Sequence, residues 1–299
     1  MARIPRMIVK GESAIYHVIS YTALEGFVLG DEEKDYLLQV IRRLSLVYFA
    51  EVLGFCLMGN HFHLLVRMHS DHNPPNAEIR RRFDLYYENM KKREIEEGQI
   101  PALRTKWSSI SEFVREIKQD FSRFYNRLHK RRGFFWAERF KSVIVDNGEP
   151  LIHCQAYIDL NPVRAGIVDK PDKYRWCSLG YHVLTRNQDG FLSLDFGLME
   201  FAGKNEQECL KYYRRFVYEK GTLKATRKGK KMAVETAEIN RFRSRNRYFT
   251  DSGIIGTKPF VERLSEEFAH HFYSKKKKRP KTIQGLDGVY SLKRLSKKL

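Results

Sequence analysis

Hydrophobic and polar positions set out the elements of the chain before any chemistry is considered. Residues 14–21, AIYHVISY, alternate and are rich in β-branched and aromatic types. They predict a strand with Tyr16 and Val18 on one face and His17 and Ile19 on the other. His17 reads as a packed or partnered strand histidine. Asp31 to Leu46 then reads as a helix: Asp31 is an N-cap candidate, Glu32 and Glu33 suit the positive end, and Tyr36, Leu37, Val40, Ile41 and Leu44 recur at helical spacing. The apolar stretch Gly54 to Met68, GFCLMGNHFHLLVRM, is too short to span a membrane and too rich in aromatic and branched residues for a surface loop. Gly59-Asn60 interrupts it like a turn, which predicts a β-hairpin. His61 and His63 are two apart, so both imidazoles leave the same face of the sheet while Phe62 points into a core.

Residues 71–104 turn polar and read as a loop with a charged, solvated helical insert. From Ser108 the spacing of Ile110, Phe113, Val114, Ile117, Phe121, Phe124, Tyr125 and Leu128 predicts a long amphipathic helix. Its end carries Lys130, Arg131 and Arg132 and runs into Gly133-Phe134-Phe135-Trp136, cations and flat rings suited to a phosphate backbone and stacked bases. Phe140 to Val145 reads as a strand. Pro150 near a first turn opens the helix PLIHCQAYIDLN, which Pro162 ends, with His153, Tyr157 and Asn161 four apart on one face.

Past Gly180 the periodicity weakens. Asn205 to Tyr218 is a helix candidate, and Thr257 is a cap candidate for the helix in FVERLSEEFAHHF. Lys224 to Tyr248 is strongly basic, with Arg241, Arg243, Arg245 and Arg247 alternating. From Lys275 onward ten Lys or Arg stand against one Asp, which reads as a flexible arm on phosphates or a solvated tail. Residues 181–299 are thus expected to form a basic, mostly helical accessory region after a first domain over 1–180.

Charge changes the picture more than hydrophobicity does. Lys and Arg number 55 against 36 Asp and Glu, a formal charge of +19 on 299 residues, which suits a polyanionic partner. Sixteen Tyr, twenty Phe and three Trp offer faces on which unpaired bases stack. The four cysteines are scattered without paired spacing and read as reduced thiols, the basic N-terminus lacks a signal-peptide core, and no apolar run reaches membrane length. A cytoplasmic, nucleoid-associated protein is the expectation. Candidate DNA contacts are Arg131, Arg132, Trp136, Arg139, Lys141, Arg164, Arg245 and Arg247.

Two imidazoles on one strand face are two-thirds of a divalent-metal site, although a pair of hydrogen-bonded strand histidines explains the spacing equally well. Tyr157 is either a half-buried helical aromatic or a nucleophile whose phenol oxygen attacks phosphorus, with Asn161 one turn on as a third metal ligand. An amide oxygen beside two imidazoles suits Mg²⁺ or Mn²⁺.

GNHFHLLVRM, WAERFKSVIVD, HCQAYIDLNPVRAGIV and PDKYRWCS resemble the successive blocks of the REP-associated tyrosine transposases, a branch of the single-tyrosine HUH transposases. ARIPRMIVKGESAIYHVIS is similar to that family's opening strand, and the likeness runs from about Ala2 to Gly180. One departure is visible, since Tyr21-Thr22 stands where a basic residue is expected after the first strand. The resemblance implies an α+β fold with a ferredoxin-like antiparallel sheet and packed helices, His61 and His63 as metal ligands, Asn161 as the third, and Tyr157 as nucleophile. It also implies nicking and joining of single-stranded DNA at hairpins of palindromic repeats, through a 5′-phosphotyrosine and without a nucleotide cofactor. A catalytically silent DNA-hairpin binder and an RNA-binding protein are the alternatives, and monomer and homodimer stay open.

Overall fold

The computed structural model describes residues 6–70, 73–87, 94–195, 205–221, 248–271, 279–283 and 286–293. Its centre is a sheet whose first four strands are β1 (Ala14–Tyr21), β2 (Ala50–Leu57), β3 (His61–Met68) and β4 (Lys141–Val145), in the order β2-β3-β1-β4 and antiparallel throughout. Helix α1 (Asp31–Val47) connects β1 to β2. α2 (Asn76–Tyr86), α3 (Ile100–Trp107) and α4 (Ile110–Leu128) lie between β3 and β4. That path is the ferredoxin-like strand–helix–strand–strand–helix–strand arrangement, with α2 and α3 inserted.

Alternation divides the sheet into two working faces. Phe62 packs edge-on to Trp136, which in turn meets Phe121 of α4, so this face carries the main core. Phe55, Phe62 and Phe121 are fully enclosed there, each contributing about 1.5–3 kcal/mol of burial. α4 begins where expected because the Ser109 hydroxyl accepts from the Glu112 amide, and it buries the stripe Ile110, Phe113, Val114, Ile117, Phe121 and Tyr125. The start of α1 differs slightly from expectation: Gly30 occupies the cap, and Asp31, Glu32 and Glu33 form the first turn, where their charge suits the helix dipole.

The opposite face is covered by α5 (Glu149–Asp159), which packs against β2. Two features hold it down. Gly54 of β2 leaves room for Gln155, and Asp159 is buried as the acceptor of three hydrogen bonds, from Leu179 N at 2.9 Å, Tyr213 Oη at 2.6 Å and Gln155 Nε2 at 3.2 Å. Burial raises the Asp159 carboxyl to about 6 against the pull of those donors. α5 ends at Asp159, before Asn161, which opens the one-turn α6 (Asn161–Arg164) with Pro162 near its start. α7 (Ser178–Thr185) is pinned to β2 through Ser178 Oγ, which accepts from Phe55 N at 2.7 Å and donates to Phe55 O at 3.0 Å.

The later residues supply helices α8 (Glu206–Gly221), α9 (Tyr248–Asp251) and α10 (Lys258–Glu267), and three strands that the sequence pattern did not announce. β5 (Ser252–Gly256) pairs in parallel with β4, and β6 (Lys281–Ile283) and β7 (Leu286–Lys293) continue the sheet in the order β5-β7-β6. The expectation of a flexible basic tail is therefore corrected over 281–283 and 286–293. Ile283, Leu286, Val289 and Leu292 are buried there, and the lysines hid that apolar spacing. Thr257 does occupy the α10 cap, but its hydroxyl donates to Asp146 Oδ2 at 2.7 Å instead of closing the helix. The four cysteines are all buried and unpaired. No helix among the described residues is long and apolar enough to cross a membrane.

Candidate active site

His61 and His63 leave β3 toward α5, their ring centroids 5.0 Å apart and nearly perpendicular. α5 brings Tyr157 down onto them: its ring lies 5.9 Å from His63 and 6.0 Å from His17, edge-on to both. The phenol ring and the His63 imidazole of one chain therefore meet on the same side of the sheet. This placement follows from Gly54 and the Asp159 anchor, which set how closely α5 approaches the sheet.

Burial and nearby positive charge keep both imidazoles neutral. Burial lowers His61 to about 4, assisted by the Arg164 charge, and lowers His63 well below the usual histidine range, assisted by His61, His17 and Arg164. Tyr157 is pushed upward by burial, and the guanidinium of Arg164 opposes that shift. Arg164 stands 4.1 Å above the Tyr157 ring and donates from Nη2 to the Tyr157 carbonyl at 2.8 Å, while its buried Nη1 has no partner. An enclosed guanidinium donor left unpaired is costly unless a ligand supplies the acceptor.

Three residues at the site carried no role in the sequence. Tyr21 stacks on His61 at 5.0 Å, so the position where a basic residue was expected holds an aromatic lid over one imidazole. His17 hydrogen-bonds His63, Nε2 to Nδ1, at 2.8 Å, and Phe249 of α9 lies 5.2 Å from the Tyr157 ring. Periodicity had put His17 on the same face as Ile19, but neither strand register nor the arrival of α9 is written in local sequence.

The donor set fits one divalent cation in part. His61 and His63 offer neutral nitrogens, and among the described residues no group of three or more His, Cys, Asp or Glu stands ready to hold a metal. Asn161 gives its amide nitrogen to the carbonyls of Tyr157 and Ile158, at 3.2 and 3.1 Å, so its amide oxygen is the atom of that side chain that could accept a cation.

The candidate DNA contacts divide. Trp136 is a correction: it packs against Phe62 and Phe121 and donates its indole N–H to Lys118 O at 2.9 Å, which leaves only 8% of it exposed, at the wall of the cavity on the α4 side. Its neighbour Phe134 is an available ring, 89% exposed. Arg131 ties down its own loop through Asn126 Oδ1 and Phe134 O. Arg132, Arg139 and Lys141 are exposed, Lys141 with its ammonium 5.9 Å from the Tyr21 ring beside the imidazoles. Arg139 also lines, with Arg6, Arg115, Lys118, Arg123 and Phe134, a cavity of about 730 Å³ on the α4 side. Arg245 and Arg247 lie outside the described residues.

Residues 11–83 match the family model of the IS200-like transposases. No curated protein matches the chain at a significant level. Among solved structures, a REP-associated tyrosine transposase bound to a REP hairpin aligns with 17% identity over 65% of this chain and 90% of the other, at a TM-score of 0.42, a likeness too loose to carry a role to any residue. The matched segment contains β1, α1 and the β2–β3 hairpin with both imidazoles, and over these residues the chain is similar to the IS200-like transposases.

Proposed function

We propose that the chain nicks and rejoins single-stranded DNA beside small hairpins, with Tyr157 as the attacking group. The observation that carries this reading is the approach of the Tyr157 ring to the His63 imidazole, with the Arg164 guanidinium and its unpaired Nη1 over the same ring, within a single chain. His61 and His63, with the amide oxygen of Asn161, would hold one Mg²⁺ or Mn²⁺, which when bound polarises a non-bridging phosphate oxygen. Arg164 supplies a fixed positive charge where the phenolate and the phosphate both develop or carry negative charge, offsetting the burial that keeps Tyr157 protonated.

Attack by the phenol oxygen forms a bond to phosphorus and breaks the bond from phosphorus to the 3′ oxygen, which leaves as a hydroxyl once protonated. The phosphodiester's energy is kept in the tyrosine linkage, so the later attack of a 3′-hydroxyl needs no nucleotide cofactor. Phe134, Arg132, Arg139 and Lys141 offer one stackable ring and three exposed cations for the strand around the hairpin.

The test uses labelled single-stranded oligonucleotides carrying hairpins, with Mg²⁺ or Mn²⁺. The wild-type chain is expected to form an SDS-resistant adduct that Tyr157→Phe abolishes while DNA affinity at fixed salt is retained. Absence of any adduct across several hairpins would leave a hairpin-binding protein. Preferential displacement by matched RNA hairpins would favour an RNA-binding one.

A further inference from the structure

The hydrogen bonds of His17 reach from the later part of the chain to the proposed metal ligand. His17 Nδ1 lies 2.8 Å from the carbonyl oxygen of Phe249, and its Nε2 lies 2.8 Å from Nδ1 of His63. The ring is fully buried. A backbone carbonyl only accepts, so His17 Nδ1 carries a proton. A neutral imidazole has a single N–H, and the His17 Nε2 lone pair must then accept from His63 Nδ1. That leaves the lone pair of His63 on Nε2.

We propose that His17 is a positioning residue that fixes His63 in the tautomer able to bind a cation through Nε2, and that the Phe249 carbonyl sets the direction of this relay. The inference rests on the metal reading above, and it ties α9 to the site, because the backbone of that helix supplies the acceptor at which the relay starts. His61 carries a shorter version of the same device, with Nδ1 at 2.7 Å from Asn60 Oδ1. An asparagine amide can present either end to the ring, so its direction is a choice. The His63 relay ends on a carbonyl that has no second orientation. Partners of this kind orient a ligand ring and raise its basicity, and their loss costs about 10–100-fold in metal affinity.

The tautomers can be read directly in the full metal-free chain, labelled with ¹⁵N-histidine, by long-range ¹H–¹⁵N correlation. Both His17 and His63 are expected to be protonated at Nδ1 and bare at Nε2. A His63 protonated at Nε2, or a His17 protonated on both nitrogens, would overturn the proposal. Mn²⁺ titration followed by electron paramagnetic resonance supplies the second readout. His17→Leu should weaken Mn²⁺ binding by about tenfold or more, whereas His17→Gln, whose side-chain oxygen reaches the Nε2 position, should stay within about threefold of wild type. Equal affinity of the Leu variant and wild type would overturn it. The two readings fail differently: wrong tautomers with intact Mn²⁺ uptake overturn the relay alone, and correct tautomers without uptake overturn the metal reading and with it the relay's purpose.

Discussion

Gly54→Ala tests the packing that brings Tyr157 to the imidazoles. A Cβ added at Gly54 would stand 2.5 Å from Cδ of Gln155 and closer still to its amide atoms. Carbon atoms in ordinary contact sit about 3.5–4.0 Å apart, so α5 or the Gln155 side chain must retreat by about 1 Å or more. Gln155 has little freedom to do so alone, because it is fully buried and its Nε2 is bonded to Asp159. Overpacking of this kind costs about 1–3 kcal/mol, partly offset by the roughly 0.4–1 kcal/mol that a glycine replacement removes from the unfolded chain. The larger effect falls on chemistry, since displacing an attacking group by about 1 Å can cost about 10²-fold in rate. Thermal unfolding gives the first quantity, and single-turnover adduct formation gives the second. Adding Gln155→Ala to Gly54→Ala removes the clash and should recover part of the rate, a coupling visible in a double-mutant cycle. A Gly54→Ala protein that melts and reacts like wild type would refute this account of how α5 is seated.

Three further outcomes follow from named contacts. Arg164→Gln should slow adduct formation by about 10²-fold or more while the chain stays folded, because the charge facing the phenol and phosphate is lost; single-turnover rates at saturating DNA measure it. Burial raises the Glu51 carboxyl, but hydrogen bonds from His69, Ser193 and Arg67 more than reverse this, bringing it from 4.5 to about 2. Its stabilisation is thus present above the unfolded value and is lost as pH falls from about 4.5 toward about 2, so the melting deficit of Glu51→Gln at pH 7 should shrink through that window. Phe134→Ala should leave the melting temperature unchanged and weaken single-stranded DNA binding, by up to about 1–3 kcal/mol if one base stacks there; fluorescence anisotropy at fixed salt reads it.

Much of the first sheet was legible in the sequence for physical reasons. Period two fixed the shared face of His61 and His63, the Gly59-Asn60 break marked the hairpin, and the apolar stripe from Ile110 to Tyr125 marked α4. The docking of α5 was not legible from spacing, because it depends on a glycine in β2 meeting a glutamine far along the chain and on a carboxylate buried behind it. Trp136 misled because composition counts a ring without saying which face is already packed, whereas its neighbour Phe134 is the exposed one. β5, β6 and β7 were hidden for two reasons: β5 and β6 are short, and β6 and β7 lie among lysines whose charge outweighs a few buried aliphatics in any local reading.

Mixing two inactive chains tests the central claim most directly. Tyr157→Phe lacks the nucleophile and His63→Ala lacks a ligand, and each alone should form almost no adduct with hairpin DNA and Mn²⁺. If the phenol serves the imidazoles of its own chain, as the 5.9 Å ring-to-ring separation of Tyr157 from His63 indicates, the mixture should react no faster than the two added separately. Robust adduct formation on mixing would contradict the account, because the working tyrosine would then come from a second copy.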